Sequence, residues 1–139
     1  MKRNKFIVIG SGRLGSSIAT KMSELGEDVS IIDATDDSFR KLQESFSGFE
    51  FVGDATDMSV LENANIKQAK TVVIATDSDN INLYISHVCY YIYNVPSIFV
   101  RLSDTDKGQL LEGTNIQPIY PFTLSLNEFL ILYHGGRER

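Results

Sequence analysis

The chain has 139 residues, 42% apolar and 22% charged, with a net charge of −5 and a pI near 4.9. That length suits one domain with a sizeable core, and the acidic balance argues against nucleic acid or an anionic membrane surface as a main partner. No apolar run approaches the roughly 18 residues needed to span a bilayer, no signal peptide is recognisable, and the single cysteine, Cys89, permits no internal disulfide, which fits a reducing cytoplasm.

Lys5 to Ile9 reads as a short buried strand, and Gly10-Ser11-Gly12-Arg13-Leu14-Gly15 follows at once. Leu14, Ile18, Met22 and Leu25 then recur at helical spacing, and Gly26 closes that run as a C-cap. A second strand, Asp28 to Ile32, ends on Asp33. This is the strand, G-x-G-x-x-G, helix, strand, acid order of a dinucleotide fold. Gly10 lets the chain turn sharply out of the strand, Gly12 leaves room for a pyrophosphate against the backbone, and Gly15 lets the helix approach the sheet. The free N–H groups at the helix start would face the phosphates. A bare glycine hexapeptide is weak evidence, since a turn without a ligand is the alternative; the flanking elements strengthen the reading of nucleotide binding. A P-loop is excluded, because no Gly-Lys-Ser/Thr follows and Arg13 is not in the lysine's place.

Asp33 lies 18 residues after Gly15, near the spacing of about 20 expected of a ribose-binding carboxylate. It can accept both ribose hydroxyls and would repel a 2′-phosphate. Neither Ala34 nor Thr35 supplies a cation to reverse that preference, so NADP is disfavoured.

Asp36-Asp37-Ser38 can start a helix carrying Phe39, Leu42 and Phe46 on one face, ended by Gly48. Phe49 to Val52 is a third strand running into Gly53-Asp54-Ala55-Thr56-Asp57. Val60, Leu61 and Ala64 suggest a short helix, and Thr71 to Ala75 a fourth strand, apolar enough to be buried on both faces. Thr76-Asp77-Ser78-Asp79-Asn80 caps a long helix over Ile81 to Tyr93. Ser97 to Val100 is a fifth strand ending at Arg101. Asp104 caps a helix from Lys107 to Glu112, stopped by Gly113. Ile116 to Tyr120 is a brief sixth strand weakened by Pro118, and Pro121 opens a last helix to about Tyr133.

Alternating strands and helices predict an α/β Rossmann-like fold, a doubly wound parallel sheet of six strands ordered 3-2-1-4-5-6. Ligands in such sheets sit beyond the strands' carboxyl ends, at the switch between strands 1 and 4. The segments Gly10–Gly15, Asp33–Thr35, Asp54–Ala55 and Ala75–Asp77 converge there. Asp54 and Ala55 would flank the base, with Ala75 and Thr76 against the far side of the dinucleotide. Read alone, Gly53 to Asp57 is equally an ordinary turn with a helix cap. Arg101 ends strand 5 on the same edge, to reach a phosphate or a subunit contact, or simply to stay solvated.

Taken together these segments resemble the RCK N-terminal domain, also called the TrkA-N domain, of Trk/Ktr potassium-uptake regulators, over nearly the whole chain. Ile9 to Gly15 resembles that family's phosphate loop, including the arginine after the second glycine. Gly53 to Asp57 resembles its strand-3 signature, and Val73 to Asn82 its V-I-A-T-x-x-D-N-x-N stretch. The resemblance implies a cytoplasmic regulator, peripheral at the inner membrane face through a potassium-transporter subunit. Such domains assemble as homo-oligomers, from a dimer to an octameric ring, and bind NAD(H) or ATP/ADP to gate potassium flux. Arg13 would then contact phosphate and tell tri- from diphosphate, or else stand exposed on the first helical turn. Many family members have a glutamate after Pro121 near a ligand or metal; here the residue is Phe122, so no metal site is expected. On this reading residues 1–121 are the nucleotide-binding domain and 122–139 a terminal interface helix and tail, without the C-terminal RCK domain many relatives carry.

The terminal helix holds Phe122, Leu124, Leu126, Phe129, Leu130, Ile131, Leu132 and Tyr133, too many apolar groups for a lone surface helix. Docking on its own core is the alternative; burial against a second subunit explains this helix and the apolar Ile81–Tyr93 helix together, and at least a dimer is expected. Tyr84, Val88, Tyr91 and Ile92 make the Ile81–Tyr93 helix apolar on more than one side.

The competing class is an NAD-dependent oxidoreductase domain lacking its substrate domain. Such enzymes need a substrate site and an acid or base beside the nicotinamide. No Tyr-x-x-x-Lys pair occurs, His87 sits in an apolar helix, and Cys89 reads as packing. No catalytic residue is expected.

Overall fold

The computed structural model describes residues 2–35, 39, 42 and 45–135. Six strands, β1 (Lys5–Ile9), β2 (Asp28–Asp33), β3 (Phe49–Val52), β4 (Ala69–Ile74), β5 (Ser97–Arg101) and β6 (Gln117–Ile119), form one all-parallel sheet ordered β3-β2-β1-β4-β5-β6. The expected Rossmann-like order is the observed one. Among the described residues four α-helices accompany it: α1 (Arg13–Glu24), α2 (Met58–Asn63), α3 (Asp79–Tyr91) and α4 (Pro121–Tyr133).

The two-residue period of a strand divides the apolar runs between the two sheet faces. Ile7 and Ile9 of β1 join Val72, Ile74, Ile98 and the α3 residues Ile85 and Cys89 in one cluster. Phe6 and Val8 join Val29, Ile31, Val73 and Ala19 of α1 in the other. Both faces of β1 and β4 are therefore covered, as parallel sheets require. Each fully buried aliphatic chain there contributes about 1.5–3 kcal/mol.

α1 packs through a different stripe from its large apolar residues. Gly15, Ser16, Ala19, Thr20 and Ser23 are buried, whereas Ile18 and Met22 flank the cluster and Leu25 is exposed. The reason is distance: a Cβ on Gly15 would lie 1.8 Å from the Gly10 carbonyl oxygen, so only small side chains fit where the helix meets the sheet. The helix ends in a Schellman motif, Gly26 N–H bonding Ser23 O and Glu27 N–H bonding Met22 O, both at 3.0 Å.

The helix start expected at Asp36-Asp37-Ser38 lies outside the described residues. Of its apolar face, Phe39 is buried and Leu42 and Phe46 pack on the α1-side cluster. The segment expected as a helix from Lys107 is a 3-10 turn over Thr105–Leu111, with the Asp104 carboxylate accepting from Asp106 N–H. β6 is confined to Gln117–Ile119 at the sheet edge, where Pro118 is tolerated.

α4 does not dock on the core. None of its residues is buried, and its eight large apolar side chains are 41–72% exposed. Val88 of α3 is buried, while Tyr84, Tyr91 and Ile92 are exposed. No helix among the described residues is long and apolar enough to cross a membrane.

Candidate functional site

β1, β2 and β4 end level, with Ile9 paired to Ile32 and to Ile74. Because β2 and β4 leave β1 on opposite sides, the loops after them diverge and open a cleft of about 400 Å³ at the carboxyl edge. The glycine loop forms its floor with Gly10, Ser11 and Gly12; Asp33 and Ala34 line one side with Asp54 and Ala55. Ala75, Thr76, Asp77 and Arg101 line the other side. Arg13, Leu14, Gly15 and Thr35 do not line it: Arg13 and Thr35 are exposed, and Gly15 is buried against the loop. Ile9, Ile32, Gly53, Ile81 and Ile85 complete the apolar part of the wall.

The loop's shape follows from its glycines. Gly10 has φ +100°, and a Cβ there would come within 2.7 Å of the Ala75 carbonyl oxygen, so the turn out of β1 runs hard against the end of β4. Gly12 is different: a Cβ built on it meets nothing within 4 Å. The space in front of Gly12 is open, as a cradle for a bulky group requires. The first turn-closing bond of α1 runs from Ser16 N–H to Gly12 O at 2.9 Å. The amides of Arg13, Leu14 and Gly15 therefore precede the helical ladder at the positive end of the dipole. No acidic side chain occupies that first turn. This end of α1 suits an anion.

Asp33 is built into the loop. Its Oδ2 accepts from both Ser11 N–H and Ser11 Oγ at 2.8 Å, and Oδ1 accepts from Thr35 N–H at 3.2 Å. The following wall is also self-bonded. Asp54 Oδ1 accepts from Thr56 Oγ1 and Thr56 N–H at 2.7 and 2.9 Å, and these bonds, the hydroxyl's first, hold its carboxyl below the ordinary range. Asp57 caps α2 by accepting from Ser59 N–H.

Across the cleft, the buried Asn82 ties two strand ends together. Its Nδ2 donates to Thr76 O and Arg101 O, each at 3.0 Å, while Thr76 N–H and Oγ1 donate to its Oδ1. Asn82 stood in the sequence only as part of a motif; a polar residue at a core position of α3, four residues before Ser86 on the same buried face, was the available signal. Ser16 was likewise unmarked, and its Oγ donates to Ser11 O at 2.8 Å.

Arg101 carries the cleft's distal cation. Nη1 reaches Thr76 O at 3.4 Å, and its Nε is buried without a hydrogen-bond partner among the described residues. Nearby, burial raises the Asp79 carboxyl, but bonds from Ser103 N–H and Asp104 N–H, with the Lys107 and Arg101 charges, outweigh it and hold it low. An open cradle at Gly12, a ladder-free helix mouth and an under-used guanidinium fit a phosphate-bearing ligand.

Other reactive groups lie elsewhere. His87 has its ring nitrogens 2.8 and 3.0 Å from Leu83 O and Leu110 O, tying α3 to the 3-10 turn. Burial pushes the Cys89 thiol up to about 12, so it packs as a neutral group. Among the described residues no cluster of His, Cys, Asp or Glu could hold a metal ion.

Residues 6–120 match the family model of the TrkA-N domain. A Trk system potassium uptake protein TrkA homolog from Pyrococcus horikoshii is 33% identical over 106 residues, covering 76% of this chain and 46% of that protein. The chain thus spans about half the length of that relative. The Shewanella denitrificans Kef CTD, solved in AMP-bound form, aligns with a TM-score of 0.74 and 26% identity over 96% of this chain and 83% of that one. The GsuK channel, solved bound to NAD and also bound to ADP, shares the fold, with a TM-score of 0.73 in both states, at 22% and 21% identity, over 93% of this chain and 23% and 34% of those chains. The strand order, the glycine loop on its open cleft and the match from residue 6 to 120 make one case: the chain belongs to the TrkA-N domain family.

Proposed function

We propose that this chain is a nucleotide-sensing regulatory domain of a potassium transporter or channel, taking NAD(H) or ATP/ADP in the cleft, and that it is not an enzyme. The observation that carries the reading is the mouth of α1, where Gly12 faces open space and the amides of Arg13 to Gly15 lie outside the helical ladder. Family membership supports the transport role, and the AMP, NAD and ADP held by similar proteins support an adenine nucleotide. Asp33 disfavours NADP through charge repulsion with a 2′-phosphate.

In this reading Gly10 to Gly15 hold phosphate, Asp33 with Ala34 holds ribose while Thr35 supports the carboxylate through its N–H, and Asp54 and Ala55 flank the base. Ala75, Thr76 and Asp77 bound the far side, and Arg101 meets a distal phosphate. Arg13, exposed beside the loop, reads the terminal phosphate from its own or a neighbouring subunit. The bound nucleotide supplies the charge and binding free energy that favour one assembly shape. Residues 1–121 bind, and 122–139 assemble. The exposed apolar side chains of α4 support burial against a second copy, as a dimer or a larger ring. The domain acts in the cytoplasm, at the inner membrane face, through a membrane potassium-transporter subunit. A ligand shifts such an assembly only by its difference in affinity for two shapes, and about 1–3 kcal/mol of coupling is enough for regulation.

Titration of two variants tests the assignment. Asp33→Ala weakens ATP, ADP and NAD alike, by about tenfold or more from lost charged hydrogen bonds. Arg13→Ala narrows the gap between ATP and ADP instead. Unchanged affinities in Asp33→Ala would remove the ribose assignment.

A further inference from the structure

Ser11 is fully buried in the glycine loop, yet its side chain serves no apolar cluster. Its hydroxyl and its amide both donate to Oδ2 of Asp33 at 2.8 Å, and its carbonyl accepts from Ser16 Oγ at 2.8 Å. A carboxylate oxygen offers about two lone-pair directions, so Ser11 fills those of Oδ2. Aspartate χ2 is a broad, soft torsion, and Asp33 stands at the last position of β2, half-buried. Two converging donors from one residue define the carboxylate's plane, with a longer bond from Thr35 N–H on the other oxygen. The plane of Asp33 is thereby set from the phosphate loop, and Ser16 fixes the loop to α1.

We infer that Ser11 is a positioning residue for ribose recognition: its buried hydroxyl helps set the plane in which the Asp33 carboxylate meets a nucleotide's ribose. This rests on the nucleotide reading of the cleft and adds to it a residue that acts through another. Ser11 also couples the two subsites, because the loop that cradles phosphate holds the acid that reads the sugar. Loss of the hydroxyl leaves the amide bond and the backbone turn in place, but removes one of the two donors on Oδ2, so the carboxylate is held less firmly in its plane.

The test compares ADP with its 2′,3′-dideoxy analogue, by calorimetry, on wild type, Ser11→Ala, Asp33→Ala and the double variant. Circular dichroism checks that each is folded. Wild type prefers ADP. Ser11→Ala loses about five- to tenfold in ADP affinity, the size of one ordinary hydrogen bond, while affinity for the dideoxy analogue changes less than about twofold. In the Asp33→Ala background Ser11→Ala has no further effect, the signature of action through a shared partner. Equal weakening of both ligands, or full additivity with Asp33→Ala, overturns the inference, since the hydroxyl would then serve the loop alone. ADP affinity unchanged in Ser11→Ala overturns it too, and leaves the nucleotide reading standing. Wild type binding neither ligand overturns the nucleotide reading and this inference with it. If Ser11→Ala does not fold, Ser11→Gly keeps the amide donor and carries the same expectations.

Discussion

Replacing Asn82 by alanine removes four hydrogen bonds in one step, because the side chain is fully buried and bonded at both its nitrogen and its oxygen. Thr76 N–H, Thr76 O and Arg101 O lose their amide partner. Each buried polar group left without a partner costs about 1–3 kcal/mol. Thr76 and Arg101 are half-buried, and water recovers part of that, so a total of about 3 kcal/mol is expected. Against a domain stability of about 5–15 kcal/mol this is large, equivalent to a fall in Tm of about 10 °C for a chain of this size. Urea and thermal unfolding followed by circular dichroism measure it. Asn80→Ala is the control: Asn80 is exposed and only accepts from Lys107 Nζ at 3.1 Å, so its cost stays within about 0.5 kcal/mol. ADP affinity falls in Asn82→Ala as well, since Thr76 and Arg101 are the cleft residues it holds. A melting temperature within about 2 °C of wild type would refute the accounting, as would equal costs at Asn80 and Asn82.

Two glycines of one loop are expected to behave in opposite ways. Gly12→Ala meets open space and leaves stability within about 0.5 kcal/mol of wild type, but its methyl occupies the cradle and lowers ADP affinity by at least about tenfold; Gly15→Ala drives a methyl into the Gly10 carbonyl, and soluble folded protein is lost on expression. For Asp79 the folded carboxyl is held below its unfolded value, so its contribution to stability is present at neutral pH and disappears as pH falls below about 4. Urea unfolding across pH therefore finds wild type more stable than Asp79→Asn at pH 7, with the difference closing in acid. Leu126→Glu combined with Phe129→Glu leaves the domain folded by circular dichroism, because both residues are exposed on the single chain, and reduces the mass measured by light scattering to that of a monomer.

Most of the sheet was legible before any coordinates, and particular residues show why. The runs Phe6-Ile7-Val8-Ile9 and Val72-Val73-Ile74 are apolar on consecutive positions, which only a strand covered on both faces accommodates. The glycine loop was legible because its three glycines answer to separate steric demands. What stayed hidden is polar. Ser11, Ser16 and Asn82 are buried residues of ordinarily exposed types, and their value lies in partners far along the chain: Ser11 with Asp33, Asn82 with Arg101. The face of α1 was obscured for a related reason: its large apolar residues lie beside the contact, and small ones make it. The apolar pattern of α4 favours docking on a partner over docking on its own core, and its exposure excludes the core among the described residues. The spacing of Asp33 from Gly15 marked the acid but not its bond to Ser11, so the sequence alone could not show that the acid is partly committed to the loop.

An adenine nucleotide in the cleft beside Gly12, with its binding felt by the assembly, is the proposal on which the functional reading stands. Calorimetric titration of the protein with NADH, NAD, ATP, ADP and AMP, with native mass measured on the same samples, tests it most directly. Binding in the micromolar range, about −8 kcal/mol, is expected, with one nucleotide preferred and a dimer or larger species present. Failure of all five to bind would contradict it.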